Sequence, residues 1–192
     1  TVKQKENVMQ IAGFGYFNYA GANELVTLLK GGKLVKSGKG WAGFITPDTA
    51  VDIVPLGMRT VSFQITERSA DNQQIQVVGE VGVTYDEKIR DQFDFSVFRE
   101  NGIFRNDPTT TIDDQIKIAL RNPVRTVVGT LTLENIASSG AKSVEEQLLE
   151  SIGDESSVLR KQLDAKRIKV HFAAIKSALP EEQKTALALG AK

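Results

Sequence analysis

Apolar residues along this chain change their spacing from every second position to every third or fourth near residue 110, and this switch restricts the available folds more than any other feature. Ile75, Val77, Gly79, Val81, Val83 and Tyr85 alternate with Gln74, Gln76, Val78, Glu80, Gly82 and Thr84, the period of a strand with one buried face. Val61, Phe63 and Ile65 alternate with Ser62, Gln64 and Thr66 in the same way. Thr49 to Leu56 and Leu25 to Leu29 are short apolar runs bounded by turn residues. Gly31-Gly32, Ser37-Gly38, Asp71-Asn72 and Asn101-Gly102 punctuate these runs as hairpin turns would, so Glu24 to Val97 is expected to form several antiparallel strands.

After Asp107-Pro108 the period becomes helical. Ile112, Ile116, Ala119, Leu120, Val124, Val127 and Val128 share one face, which continues through Pro123, and a kink or break is expected at Asn122. Ser143-Val144-Glu145-Glu146 has the form of a capping box, from which Val144, Leu148, Ile152, Leu159 and Leu163 build a second amphipathic helix. Ile168, Val170 and Phe172 alternate as a late strand, and Pro180 followed by Glu181-Glu182 opens a final helix. The fold class is therefore α+β: an antiparallel β-rich N-terminal part, then amphipathic helices and one late strand.

At 192 residues with 41% hydrophobic and 25% charged, the chain has the mix of a globular protein and can bury roughly 70% of its unfolded surface without a staple. It has no cysteine, which removes disulfides, thiolate metal sites and cysteine nucleophiles and points to a reducing compartment, the cytoplasm by default. Its 24 basic and 24 acidic residues cancel, so no overall field attracts a nucleic acid. Locally the balance shifts: residues 61–114 are acidic and 115–192 mildly basic, a polarity suited to a module that meets its own copies.

A membrane-spanning helix needs about 20 consecutive apolar residues, and the nearest run, Val8 to Ala20, is too short and is interrupted by Gln10, Gly13, Gly15 and Asn18. It nevertheless concentrates Phe14, Tyr16, Phe17 and Tyr19 in a chain with only 9 Phe, 3 Tyr and 1 Trp. Such rings suit contact with a membrane interface, but they suit a hairpin packed on its own core better. Because the sequence starts at Thr1 rather than Met, it reads as a processed or trimmed product, and a missing start is where an anchor could lie.

No constellation for catalysis, cofactor or metal binding is present. His171, the single histidine, falls on the polar phase of its strand and has no second imidazole for a metal. A serine hydrolase would need it beside a Gly-x-Ser-x-Gly turn, which does not occur. Gly31-Gly32-Lys33 and Gly38-Lys39-Gly40 lack the spacing of a phosphate-binding P-loop and read as hairpin turns, and Gly13-Phe14-Gly15 has Asn18 where a dinucleotide fingerprint needs glycine. The carboxylate pairs Asp113-Asp114, Glu145-Glu146, Asp154-Glu155 and Glu181-Glu182 are placed at helix starts, where they favour the positive end of the dipole. Lys30, Lys33, Lys36 and Lys39, and the cluster Arg160, Lys161, Lys166, Arg167 and Lys169, could touch anionic lipid; without interleaved aromatics they do not suit single-stranded nucleic acid.

Taken in order, Glu24-Leu25-Val26, Lys39-Gly40-Trp41, Asp48 to Leu56, Ser69-Ala70-Asp71-Asn72 running into Gln74 to Val83, Leu120-Arg121 to Val128-Gly129, Thr132-Leu133-Glu134-Asn135 and Ile168 to Pro180 resemble the SPFH family. This is the stomatin, prohibitin and flotillin group, also called band 7. The resemblance covers roughly residues 21 to 185 and is that of a remote branch. Arg167-Ile168 replaces a common Gly-Ile step, the arginine usual after the Thr-Leu-Glu turn is absent, and the long coiled coil is missing.

The resemblance implies a non-catalytic, self-assembling scaffold, a ring or cage peripheral to a membrane on the cytoplasmic side, that organises a membrane-associated complex or microdomain. The alternative it implies is a soluble shell or cage component, since such domains also resemble the shoulder of the vault particle. No cofactor, nucleic acid or small-molecule substrate is implied. The expected organisation is an aromatic-rich segment over 1–20, an SPFH-like domain over 21–177 and, over 178–192, the start of a C-terminal helix that continues beyond Lys192.

Overall fold

The computed structural model describes residues 8–11, 15–19, 21–98, 102–139 and 141–180. In chain order its elements are β1 (Val8–Ile11), β2 (Gly15–Tyr19), β3 (Glu24–Lys30), β4 (Lys33–Lys39), β5 (Ala42–Ile45), β6 (Thr49–Pro55), β7 (Arg59–Arg68), β8 (Gln74–Tyr85), a 3-10 turn at Glu87–Asp91 and β9 (Ser96–Val97). They continue with α1 (Pro108–Thr130), α2 (Leu133–Ser139), α3 (Ala141–Gly153), α4 (Val158–Ala165) and β10 (Ile168–Pro180). This is the α+β arrangement expected from the period switch. The chain forms two compact units, Thr1–Gly57 with Tyr85–Ile112, and Met58–Thr84 with Asp113–Lys192.

The first unit holds two sheets, ordered β1-β2-β5 and β4-β3-β6-β9, with antiparallel pairing throughout. The central strand β3 buries Leu25, Val26, Thr27 and Leu28 in succession, and the Thr27 hydroxyl meets Ser37 Oγ at 3.3 Å. Val26, Leu28, Ile45, Val51, Ile53 and Val97 form the core, with Trp41 and Phe104 packed against it. The Phe95 ring links Tyr85 and Phe104, with centroids 6.4 and 6.2 Å away. The expected turn at Ser37-Gly38 is absent. Both residues stay in β4, with Gly38 opposite Val26, and the chain turns at Gly40, whose φ of 58° is open to glycine.

The second unit is a sheet ordered β10-β8-β7 with α1 to α4. β7 and β8 pair over ten residues, from Arg59 opposite Val83 to Arg68 opposite Gln74, and Asn72 takes the left-handed turn conformation at φ 63°. Val61, Phe63 and Ile65 are buried on β7 and Ile75, Val77, Val81 and Val83 on β8, as their alternation requires. Ile116, Leu120, Val124 and Val128 are fully buried on α1, and Val144, Leu148, Leu159 and Leu163 are buried on α3 and α4. Each such side chain contributes about 1.5–3 kcal/mol through burial.

Three expectations about this half are corrected. Of the kink or break expected at Asn122 the break does not occur, α1 running on as one helix: Pro123 withdraws one donor, at a cost of about 3 kcal/mol, and the buried residues on both sides outweigh it. The helix expected from Val144 to Leu163 is two helices. After Gly153, Asp154 accepts from Ser156 N at 2.8 Å, and Ser157 caps α4 by accepting from Arg160 N at 3.1 Å while donating to the Ser151 carbonyl at 2.6 Å. The late strand, expected to end at Phe172, runs to Pro180, so Pro180 closes a strand and does not open a helix; residues 181–192 lie outside the described residues.

Candidate interaction surfaces

Of the aromatic strip, Tyr16, Phe17 and Tyr19 lie on β2, the middle strand of its sheet, with backbones opposite Ile45, Phe44 and Ala42; Phe14 lies outside the described residues. The lysine series falls on the β3–β4 hairpin. Lys30 pairs with Asp48 at 2.6 Å, Lys39 with Glu87 at 3.0 Å, and Lys36 lies 5.4 Å above the Trp41 ring. β4 is an edge strand, and Leu34 and Val35 are 56% and 62% exposed between these lysines. Charges beside exposed apolar residues at an edge discourage indiscriminate strand pairing.

In the second basic cluster, Arg160 pairs with Asp164 at 2.9 Å one turn along α4, and Lys166 Nζ donates to Gln115 Oε1. Lys161, Arg167 and Lys169 are exposed. His171 is also exposed, with Nε2 2.7 Å from Thr84 Oγ1. Among the described residues no group of three or more His, Cys, Asp or Glu side chains is arranged to hold a metal, and no helix is long and apolar enough to cross a membrane.

Only part of the acidic-pair expectation is met. Asp113 and Asp114 lie well inside α1, because Asp107 is the residue that caps it, accepting from Thr109 N at 2.9 Å and from Thr109 Oγ1 at 2.6 Å. Asp113 instead takes Arg59 Nη2 at 2.6 Å; burial pushes its carboxyl up, the arginine opposes this, and its Oδ1 is buried without a hydrogen bond. Glu145, inside α3, accepts from Ile175 N at 2.8 Å and ties that helix to β10. Asp154-Glu155 do precede a helix, and the Ser156 hydroxyl and N–H hold the Asp154 carboxyl low. Glu181-Glu182 lie outside the described residues.

Other carboxylates brace turns. Bonds from Lys30 and then Thr46 bring Asp48 down to about 2. Asp71, held low by the Ser69 hydroxyl and the Leu133 N–H, reaches from the β7–β8 turn to the start of α2. Asp52 on β6 moves the opposite way, because burial and the charge of Asp94 both raise it.

Sequence reading missed a cluster on the second unit. Glu67 occupies the apolar phase of β7, in step with Val61, Phe63 and Ile65, and its side chain is only 7% exposed. Arg121 Nε donates to Glu67 Oε1 at 3.0 Å, and Arg125 Nε lies 3.3 Å from Oε2, from the next turn of α1. Both guanidiniums are mostly exposed, at 65% and 70%. Arg59 with Asp113 and Glu67 with Arg121 and Arg125 thus fasten both ends of β7 to α1, and both run in the same chain direction. The available signal was a glutamate at a buried phase position, where a polar side chain needs a partner.

A groove of about 580 Å³ opens among α1, α3 and α4, lined in part by Ala119, Asn122, Pro123, Gln147, Ser151 and Val158. Pro123 gives no N–H to the Ala119 carbonyl there, and Val158 is 66% exposed.

No curated protein sequence matches the chain. The profile described as SPFH domain / Band 7 family matches residues 19–190, most of the chain, and the chain belongs to that family.

Proposed function

We propose that this chain is a non-catalytic, self-assembling scaffold that organises a membrane-associated complex or microdomain from the cytoplasmic face. The observation that carries this reading is the family match over residues 19–190, since members of this family are typically scaffolds at membranes. Phe14, Tyr16, Phe17 and Tyr19 are the proposed membrane contact. The acidic stretch 61–114 and the basic stretch 115–192 are the proposed head-to-tail partners in a ring, a heterologous geometry that closes or runs on as a filament.

Sedimentation of the longest native chain at low and high salt tests assembly; a strict monomer in both, at high concentration, overturns it. Flotation with anionic liposomes tests the membrane contact. Changing the four aromatics to Ser is expected to abolish flotation with little change in melting temperature, and unchanged flotation with lost thermal stability refutes the contact. Assembly without flotation of the unaltered chain favours the soluble shell instead.

A further inference from the structure

The Glu67 cluster carries more positive charge than pairing requires. Arg121 and Arg125 both engage Glu67 through Nε, the inner edge of the guanidinium, leaving their Nη edges outward on successive turns of α1. Arg68, next in β7, donates Nη1 to the neutral Asn72 Oδ1 at 2.8 Å. Among the described residues no other carboxylate pairs with these three arginines, so two positive charges are in excess. A cleft of about 300 Å³ opens beside this cluster, lined by Thr66, Glu67, Arg68, Gln74, Arg125 and Gly129, with Arg121 outside it on Glu67, so that the two arginines in excess are Arg68 and Arg125. Thr66 and Gln74 add neutral donors, and a Cβ built on Gly129 would meet nothing within 4 Å, so that wall is open to solvent.

We propose that this cleft binds a phosphate monoester. Forked guanidiniums match phosphate oxygens in pairs, and a dianion balances the two excess charges where a carboxylate would balance one. Glu67 orients Arg125: by holding its Nε it fixes that fork before the ligand arrives, which lowers the ordering cost of binding, while Arg121 balances Glu67 from outside the cleft. The monoester is either the headgroup of a phosphorylated lipid or a soluble phosphate, and the cleft's chemistry is the same for both.

The test uses the whole chain at pH ~7.5, above the second phosphate pKa of about 6. Inorganic phosphate is titrated against acetate at matched ionic strength, followed by amide chemical shifts. Phosphate is expected to saturate and acetate not to. Arg68→Gln, which leaves Glu67 paired, is expected to weaken phosphate about tenfold. Arg125→Lys, which keeps a cation for Glu67 but loses the fork, is expected to weaken it as well, while Lys161→Gln in the other basic cluster leaves it unchanged.

In a second arm, vesicles carrying phosphatidylinositol monophosphate are compared with vesicles carrying phosphatidylserine. Selective, phosphate-competed binding to the former assigns a lipid source, and phosphate binding without vesicle binding assigns a soluble one. Equal response to acetate and phosphate, or phosphate binding indifferent to both arginine changes, overturns the proposal and leaves the scaffold reading untouched.

Discussion

Glu67 and its two arginines give a sharp energetic test, because the three side chains differ so much in exposure. Arg121 and Arg125 are 65% and 70% exposed, so each alone behaves as a surface partner, and Arg121→Ala or Arg125→Ala should each cost about 0.5 kcal/mol. Glu67 is 7% exposed, and with both arginines gone its charge is left buried without a counter-ion. Breaking a buried pair in this way costs about 3–5 kcal/mol; the open cleft beside it favours the lower figure, about 3. The double variant should therefore lose about three times the sum of the single losses. Adding Glu67→Leu removes the stranded charge and places an apolar side chain in phase with Phe63 and Ile65, so the triple variant should recover most of the loss. In a chain of this length 1 kcal/mol moves the melting temperature by about 2–4 °C, so the double variant should melt about 6–12 °C lower. Circular dichroism melts of the four variants decide it. Additive single effects, or a triple variant no more stable than the double, would show that Glu67 is not an obligate partner of these arginines.

Asp52→Asn should stabilise the fold at pH ~7 and lose its advantage as pH falls toward about 4. Burial raises the folded-state value of Asp52 above the ordinary 3.8, so the stability linked to this group is present below that value and lost as pH rises through the raised one; melts across pH should show the gap between variant and parent closing on acidification. Gly79→Ala should cost about 1–3 kcal/mol, more than Gly82→Ala. A Cβ at Gly79 would lie 2.7 Å from the Ala174 carbonyl, which is backbone, whereas one at Gly82 meets the Phe172 ring, which can turn; urea midpoints should rank them in that order. Leu120→Ala, at a fully buried position on α1, should cost about 2–5 kcal/mol, measured the same way, and a smaller loss would mean that α1 packs loosely around Pro123.

The fold was legible where one period acts alone. The strict alternation of β7 and β8 required the observed pairing, because a slip of one residue would turn Val61, Phe63 and Ile65 to solvent. It failed where two signals competed. Pro123 is a strong local breaker, yet Leu120, Val124, Val127 and Val128 bury enough surface to carry the helix through it. Between Val144 and Leu163 the apolar spacing ran on across Gly153 and Asp154, whose capping chemistry ended one helix and, with Ser157, began another. At β10 the alternation fades after Phe172 into Ala173, Ala174 and Ile175, and it is Glu145, thirty residues earlier, that holds the strand at Ile175.

The interaction surfaces were less legible, because charge along a sequence does not say which charges neutralise one another. Lys30 and Lys39 belong to a conspicuous lysine series, yet each has a carboxylate partner that removes it from any excess. Arg68, Arg121 and Arg125 form no run, yet β7 and α1 bring them around Glu67 across more than fifty residues of chain. One buried carboxylate then decides their character: without Glu67 they would be separate flexible cations, each losing rotamer freedom to meet a ligand. With it, Arg125 is fixed in advance and the cluster still carries unspent charge. A recognition site of this kind depends on a glutamate at a position where periodicity calls for valine, and that departure from the pattern is the clue the sequence held.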